Sequence, residues 1–565
     1  MSKYAIGLDF GTNSCRSLIV NIENGNEIST HVFNYPSGEA GVIVDHNNPN
    51  LARQNPADYL LGIEVTIKEA VKKAKASDKN FLPEKVIGIG VDTTGSSPMP
   101  VDVNGNPLCF DERFKDNPSA MVWLWKDHTS FTEAEQITDL AAKEHPEYLA
   151  KIGGVYSSEW FWSKILHCSK EDPEAFKNIY TFVEIADWIP AVLVGDTKPE
   201  NIKRGICAAG HKAMFSKQWG GLPDLSFIEK LSSTLSEFRK RMINKSYPTE
   251  EQAGYLSKDW AEKLGLSTKV SVAVGAFDAH MGAVGAGIKS NTLVKILGTS
   301  TCDIMISPSS KPLADIPGVC GIVNGSVMDG FYGIEAGQSA VGDIFLWFIN
   351  NLVPEKYGKT QDEKFSNLEK AASELMPGET GLMALDWNNG NRTILVDVRL
   401  TGLILGQTLH TQPHEIYRTL IEATAFGALA IIDRIEENGV PIKDVINCGG
   451  LAVKSHLIMQ IYADVTGRPM KISRSDQTPA LGAAIFGAVS AGKEASGFEN
   501  VEEAQKVITG ISKTYEPDEQ NHQVYKKLYK IYKQMHDGFG TRTWKGNMYN
   551  VMKDLLDIRD KVRNR

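Results

Sequence analysis

A short turn of glycine, hydroxyl and amide side chains follows a β-rich run at two places in this 565-residue chain. Asp9-Phe10-Gly11-Thr12-Asn13-Ser14 closes the run that begins at Tyr4, and Gly298-Thr299-Ser300-Thr301 closes Val294–Leu297. Residues this small let backbone N–H groups and hydroxyls come close to a phosphate, forming an anion-binding nest. Asp9, at the strand end, adds a carboxylate able to hold a magnesium ion, usually through water. Each turn alone is equally well a plain hairpin. Two in equivalent positions are better explained by one nucleotide phosphate chain lying between them.

Asp278, in Gly275-Ala-Phe-Asp-Ala-His-Met-Gly282, is a different kind of signal: an acid after the apolar run Val270–Val274 that opens a small-residue helix. A helix N-terminus favours an anion, so Asp278 is expected to stay ionised and able to accept a proton; an N-capping aspartate is the alternative. His280 reads as a helix-surface or core histidine and is given no role. In Asn447-Cys-Gly449-Gly450-Leu-Ala-Val-Lys454-Ser455 the paired glycines would let a flat adenine or ribose press on the backbone, or make an ordinary turn between strand and helix. Trp123, Trp125, Lys126, Asp127 and His128, then Trp160, Phe161 and Trp162, then His211 and Lys212, suit a sugar whose C–H face stacks while its hydroxyls bond; core packing is the other use of such tryptophans.

These groups need elements to hold them. Residues 4–22 read as a hairpin, and Val294–Ser307 repeats it 287 residues later, matching Gly11, Thr12 and Cys15 with Gly298, Thr299 and Cys302. The repeat predicts two halves of similar α/β architecture with a boundary near Gly287–Ser290 and a cleft between them. Val86–Asp92 and Val445–Cys448 read as buried strands and Pro56–Lys75 as a helix. A further helix over 414–437 has Thr411 as its expected N-cap and Gly427 on its apolar face, where a close contact would explain the glycine. Val524, Leu528, Ile531 and Met535 mark a surface-docked helix near the C-terminus.

Composition narrows the class. The hydrophobic share of 42% and charged share of 23% belong to an ordinary globular chain, and a net charge of −9 argues against nucleic acid and anionic membrane as partners. Seven cysteines without a C-x-x-C pair argue against a disulfide framework or a zinc ribbon. No signal peptide or bilayer-spanning run is expected, which makes a reduced cytoplasm the expected location. The sequence has no P-loop, H-E-x-x-H, G-x-S-x-G or H-R-D motif, which disfavours the enzyme classes they mark.

Together the segments resemble the FGGY family of carbohydrate kinases, within the ribonuclease-H-like actin/hexokinase ATPase fold, from Ile6 to about Tyr515 and in the family's order. Gly7-Leu-Asp-Phe-Gly-Thr-Asn-Ser14 looks like its first phosphate motif and Ile296-Leu-Gly-Thr-Ser-Thr301 its second. Gly449, Gly450, Lys454 and Ser455 look like its adenosine motif, and Gly402–Gly406 followed by Glu415–Ala423 like its C-terminal signature. The resemblance implies residues 1–287 as an N-terminal sugar-binding domain, 288–545 as a C-terminal nucleotide domain and 546–565 as a helical tail. It implies Gly11, Thr12, Asn13, Ser14, Gly298, Thr299, Ser300, Gly342, Gly449, Gly450 and Lys454 as nucleotide contacts, with magnesium held by Asp9 and Asp278.

Within the family, Gly90-Val-Asp-Thr-Thr-Gly-Ser-Ser97, Asn117–Ala120, Leu124-Trp-Lys-Asp-His128, Gly210-His-Lys-Ala-Met214 and Ile334-Glu-Ala-Gly337 look most like the members that phosphorylate L-ribulose. That likeness implies Gly95, Ser96, Trp125, Lys212, Asp278 and Glu335 as sugar contacts. It also implies ATP-dependent transfer to the sugar O5 with Asp278 as the base, in L-arabinose catabolism, and leaves a homodimer through the C-terminal helices as an expectation. Two rivals are weighed against it: a kinase for another ketose or polyol such as xylulose or fuculose, and a non-enzymatic ATPase of the actin or chaperone type.

Overall fold

The computed structural model describes residues 2–564. Both expected hairpins form: Tyr4–Phe10 pairs antiparallel with Ser14–Asn21, and Thr292–Leu297 with Thr301–Pro308. Each lies at the centre of a seven-stranded sheet, and the five strands around the two hairpins share one order. In the first, Asn26–Asn34 flanks the hairpin on one side, while Val86–Thr93 and Ser271–Ala273 add in parallel on the other. In the second, Phe331–Ala336 takes the flanking place, and Asp444–Cys448 and Met470–Ser473 add in parallel. This repeated order of three antiparallel and two parallel strands is the ribonuclease-H-like arrangement expected from the paired turns.

The packing does not divide where the sheets do. Helix Thr478–Ser490 belongs by sequence to the second half, yet it lies flat on the first sheet and against helix Asp278–Gly285. A Cβ at Gly7, Gly88 or Gly90 would stand 1.7, 1.8 and 1.8 Å from the carbonyl oxygens of Ala480, Gly487 and Ala483. The sheet therefore carries bare backbone beneath the helix. A single buried cluster runs through this contact, joining Leu18 and Val20 to Val294, Ile304, Leu481 and Ile485.

The long helix forms as Pro413–Glu437. Its N-cap is Gln412 in a capping box with Glu415, not Thr411, whose hydroxyl accepts from the Thr408 N–H at 2.9 Å. Proline at the first helical position fixes the start one residue later than the cap chemistry of threonine suggests. Gly427 has its close contact: a Cβ there would lie 2.4 Å from Asp386 Oδ2. The helix expected after Gly450 is broken into Gly450–Lys454 and His456–Thr466, because Ser455 caps the second segment through Ile458 N–H. Trp123 and Trp162 are core residues. Helices Glu519–Gly540 and Val551–Arg563 close the chain. No described helix is long and apolar enough to cross a membrane.

Candidate active site

Three carboxylates gather at the ends of neighbouring strands. Asp9 and Asp92 are register partners on paired strands, and Ala276 pairs with Asp92, which brings Asp278 to the same edge. Burial raises the Asp9 carboxyl although Arg16, 3.8 Å away, opposes the rise. Burial and the proximity of Asp9 and Asp278 raise Asp92 well above the ordinary range, and neither of its oxygens finds a hydrogen-bond donor. Burial, with Asp9 beside it, pushes Asp278 up to about 7. The expectation of a fully ionised Asp278 is thereby corrected. Its helix spans only Asp278–Gly285 and offers it one donor, Ala279 N–H at 2.6 Å, which is too little to offset burial beside other acids. Phe277, not Asp278, occupies the N-cap position.

Three oxygen donors with two unpartnered oxygens fit a hard divalent cation such as magnesium, which takes carboxylate and water oxygens. Asp92 was not singled out from the sequence. The available signal was its place at the end of a buried strand before small residues, the same pattern as Asp9.

The lining residues expected for a sugar lie beside Asp278. Lys212 ends helix Ile206–Lys212, and its Nζ stands 3.4 and 3.5 Å from the Glu335 oxygens. It sits 5.2 Å from the Trp160 ring centre and 5.9 Å from that of Phe277. Glu335 comes from strand Phe331–Ala336 of the second sheet, so this pair joins the two halves. Burial opposes ionisation of Glu335, but Lys212, with His211, His280 and Arg392 adding to it, outweighs burial and holds the carboxyl well below the usual range. His211 and His280 also face Glu335, at 3.4 and 4.0 Å. Of the two readings offered for His280 the buried one holds, and its neighbours there are polar. Both histidines flank residues chosen on other grounds, Lys212 and Asp278, and that adjacency was the signal for them.

Gly95 packs under the Phe277 ring, where a Cβ would approach to 3.2 Å. Ser96 is buried at a φ of +36°, a region that non-glycine residues seldom enter. The segment is held from behind. Glu184 accepts from Ser97 N–H at 2.8 Å and from the Ser96 hydroxyl at 3.4 Å. The buried Lys164 ammonium donates to the carbonyls of Ser96, Leu124 and Trp123 at 2.8, 2.8 and 3.3 Å. Trp125 is 38% exposed, and its indole donates to the Thr12 hydroxyl.

Both phosphate turns are tight and open to solvent. Gly11 N–H bonds Ser14 O at 2.9 Å and Gly298 N–H bonds Ser300 O at 3.0 Å. Asn13, Gly298 and Thr299 are exposed, while Thr12, Ser14 and Ser300 are half-buried. Gly342 opens helix Gly342–Leu352 directly on the second turn, its N–H bonded to Gly298 O at 3.1 Å. Gly449 has a φ of +93° and lies against Leu297, where a side chain would meet the Leu297 carbonyl at 2.4 Å. Beyond it, Gly450 faces open space. The structure thus brings Gly298, Gly342, Gly449 and Gly450 to one edge of the second sheet. Lys454 is exposed at the end of the short helix that follows.

Family models match on both sides of this cleft: the FGGY family of carbohydrate kinases, N-terminal domain, over residues 4–285, and its C-terminal domain over residues 293–491. The chain belongs to the FGGY family. It is a carbohydrate kinase, and ATP is the phosphoryl donor that membership implies. It is 42% identical over 550 residues to a ribulokinase of Vibrio parahaemolyticus, covering 94% of this chain and 95% of that one. It is 40% identical over 574 residues to a ribulokinase of Shouchella clausii, covering 100% and 99%. Among solved structures it resembles xylulose kinase from Rhodospirillum rubrum, with a TM-score of 0.77, 20% identity, and 95% and 99% of the two chains covered. Glycerol kinase from Plasmodium falciparum with ADP gives a TM-score of 0.75 at 16% identity, with 95% and 98% covered. These structural likenesses speak for the fold.

Proposed function

We propose that this kinase transfers the γ-phosphoryl group of ATP to O5 of L-ribulose, giving L-ribulose 5-phosphate and ADP, with Asp278 as the base. The observation that carries the mechanism is the position of Asp278, half-buried between Asp9 of the first phosphate strand and the Lys212–Glu335 pair, with its carboxyl pushed up to about 7. A base poised there is half-ionised near neutrality and a stronger acceptor than an ordinary aspartate. The relatives named ribulokinase support ribulose as the sugar.

In this reading Lys212 and Glu335 hold sugar hydroxyls, Trp125 covers the sugar, and Gly95 and Ser96 shape the wall. The turns at Gly11–Ser14 and Gly298–Ser300, with Gly342, hold the phosphates by their N–H groups, while Gly449, Gly450 and Lys454 receive the adenosine. As O5 attacks phosphorus, its proton passes to Asp278, the new O5–P bond forms, and the bond from phosphorus to the bridging oxygen of ADP breaks. Phosphoryl transfer depends mainly on such positioning and on charge stabilisation. Asp9, Asp92 and Asp278 would hold magnesium, which neutralises charge on the phosphates when bound. Closure of the halves keeps water from the γ-phosphate. We place the reaction in L-arabinose catabolism in the cytoplasm, and read exposed Met552 and Leu556 on the last helix as the seam of a homodimer.

The test is Asp278→Asn in an ADP-release assay across the ketopentoses and polyols. The expected result is L-ribulose as the best substrate and a kcat about 10²–10⁴-fold lower in the variant, with nucleotide affinity nearly unchanged. An active variant removes Asp278 as the base, and preference for xylulose or fuculose overturns the choice of sugar.

A further inference from the structure

The sugar side of the cleft contains a polar cluster that does not satisfy itself. His211 Nε2 and His280 Nε2 stand 3.0 Å apart, each ring buried, and His211 Nε2 is also 3.0 Å from the Ser326 hydroxyl. Two facing ring nitrogens can share only one proton, so one must present a bare lone pair to the other. The Nδ1 atoms of both rings are buried without a hydrogen bond, that of His211 with Glu335 Oε2 3.4 Å away but not aligned for one. Glu335 lies alongside, and Lys212 holds it only at the long limit of hydrogen bonding, shared between both oxygens. Leaving buried nitrogens unpaired costs about 1–3 kcal/mol each.

We infer that His211, His280 and Glu335 form a binding site for a borderline-soft divalent ion of the Zn2+, Co2+ or Ni2+ class, separate from the all-oxygen magnesium site. One ligand atom from each of the three lies within 4.8 Å of the others, a spread that small movements close onto one ion. Two imidazoles and one carboxylate are a ligand set that suits zinc and its neighbours and that magnesium, which prefers oxygen, does not seek. The nearby sulfur, Cys320 Sγ, is engaged elsewhere: it donates to the Glu335 backbone carbonyl at 3.2 Å. The three ligands come from helix Ile206–Lys212, helix Asp278–Gly285 and strand Phe331–Ala336, so a bound ion would tie the two halves together. It would also take the Glu335 carboxylate away from a sugar hydroxyl, so the ion and the sugar exclude each other. This last consequence rests on the proposed sugar-binding role of Glu335; binding of the ion does not.

The experiment adds Co2+ to the intact enzyme in excess Mg2+, without sugar or nucleotide, and follows visible absorption. One equivalent is expected to give d–d bands without thiolate charge transfer, and Zn2+ is expected to displace it. His211→Gln and His280→Gln should each weaken the ion at least 10-fold, and saturating sugar should abolish the bands in the unaltered enzyme. In steady-state assays Zn2+ should raise the sugar KM while the ATP KM stays constant. Absence of a one-equivalent band, a thiolate spectrum, or affinity unchanged in folded His280→Gln overturns the site. Co2+ held by both histidines with the sugar KM unaffected supports the site and removes Glu335 from the sugar contacts.

Discussion

The indole Nε1 of Trp125 donates a hydrogen bond to the hydroxyl of Thr12 at 3.0 Å. One residue is proposed to cover the sugar and the other belongs to the first phosphate turn, so the two substrate sites share a side-chain hydroxyl before either ligand arrives. Gln54 holds the same turn through the Thr12 carbonyl at 2.7 Å. The indole occupies a lone pair of the Thr12 oxygen and leaves its O–H free to donate to a phosphate, so the two bonds can form together and reinforce one another.

Trp125→Phe keeps an aromatic face and removes the donor. Without sugar, the nucleotide is expected to bind this variant more weakly, because the Thr12 hydroxyl is no longer oriented and polarised by the indole, by at most the worth of one hydrogen bond, about 0.5–1.5 kcal/mol or roughly 2–12-fold in Kd. Isothermal titration with and without sugar measures it. An unchanged Kd would show that the indole has no part in presenting the Thr12 hydroxyl to a phosphate.

Lys164 offers a second test, because its ammonium draws together the carbonyls of Ser96, Trp123 and Leu124 from two walls of the proposed sugar site. Burial pushes Lys164 down and Glu184 up, so the pair gains little from its charges. Lys164→Met should raise the sugar KM about 10-fold or more, as positioning is lost, with the ATP KM unchanged. Pairing it with Glu184→Gln should recover stability without recovering the sugar KM. Recovery of both would make the lysine a purely structural residue.

The raised carboxyl of Asp278 links pH to stability. A group whose folded pKa lies above its unfolded one favours the native state below the unfolded value, and that advantage is lost as pH rises through the folded value. From 3.8 to about 7, the native protein should therefore lose stability on this account. Without divalent ions, Asp278→Asn should match the unaltered protein near pH 4 and exceed it at pH 8, by no more than about 4 kcal/mol. Denaturant unfolding at the two pH values checks the sign.

The same carboxyl sets an activity profile. As a base it must be ionised, so kcat/KM should rise with pH through about 7. A magnesium ion among Asp9, Asp92 and Asp278 would favour their ionised forms. Raising its concentration should move the acid limb to lower pH, whereas a limb insensitive to magnesium would place the ion away from Asp278.

The seat of helix Thr478–Ser490 is testable through its glycines. Gly90→Ala would put a methyl 1.8 Å from the Ala483 carbonyl, where backbone must move to admit it. A loss of about 3 kcal/mol or more is expected, at the upper end for overpacking. Gly265→Ala is a poor control because of its φ of +67°; Gly450→Ala, with open space around it and an unstrained backbone, should cost far less. Thermal unfolding ranks the two.

The sequence announced whatever depends on local chemistry. The repeated turn at Gly11 and Gly298 foretold two sheets of one order, and Asp278 after an apolar run foretold a carboxylate at their meeting point. It did not announce what depends on burial and cross-chain pairing. A helix N-terminus suggested a charged Asp278, but its charge is decided by burial, with Asp9 from the other end of the same half adding to it. His280 looked ordinary because the residues it meets, His211 and Glu335, lie on distant segments. Lys164 stood within the apolar run Phe161–Leu166, where a cation has to find carbonyls or be expelled, and that oddity was the only trace of its clamp.

Because the first sheet is roofed by Thr478–Ser490, the N-terminal half emerges from the ribosome long before its own cover has been made. Until then the flat backbone of Gly7, Gly88 and Gly90 lies open, without side chains to shield it. The nascent protein must therefore be kept from sticking by chaperones or by speed, and a shortened gene ending near residue 287 would yield an insoluble fragment rather than a lone sugar-binding module.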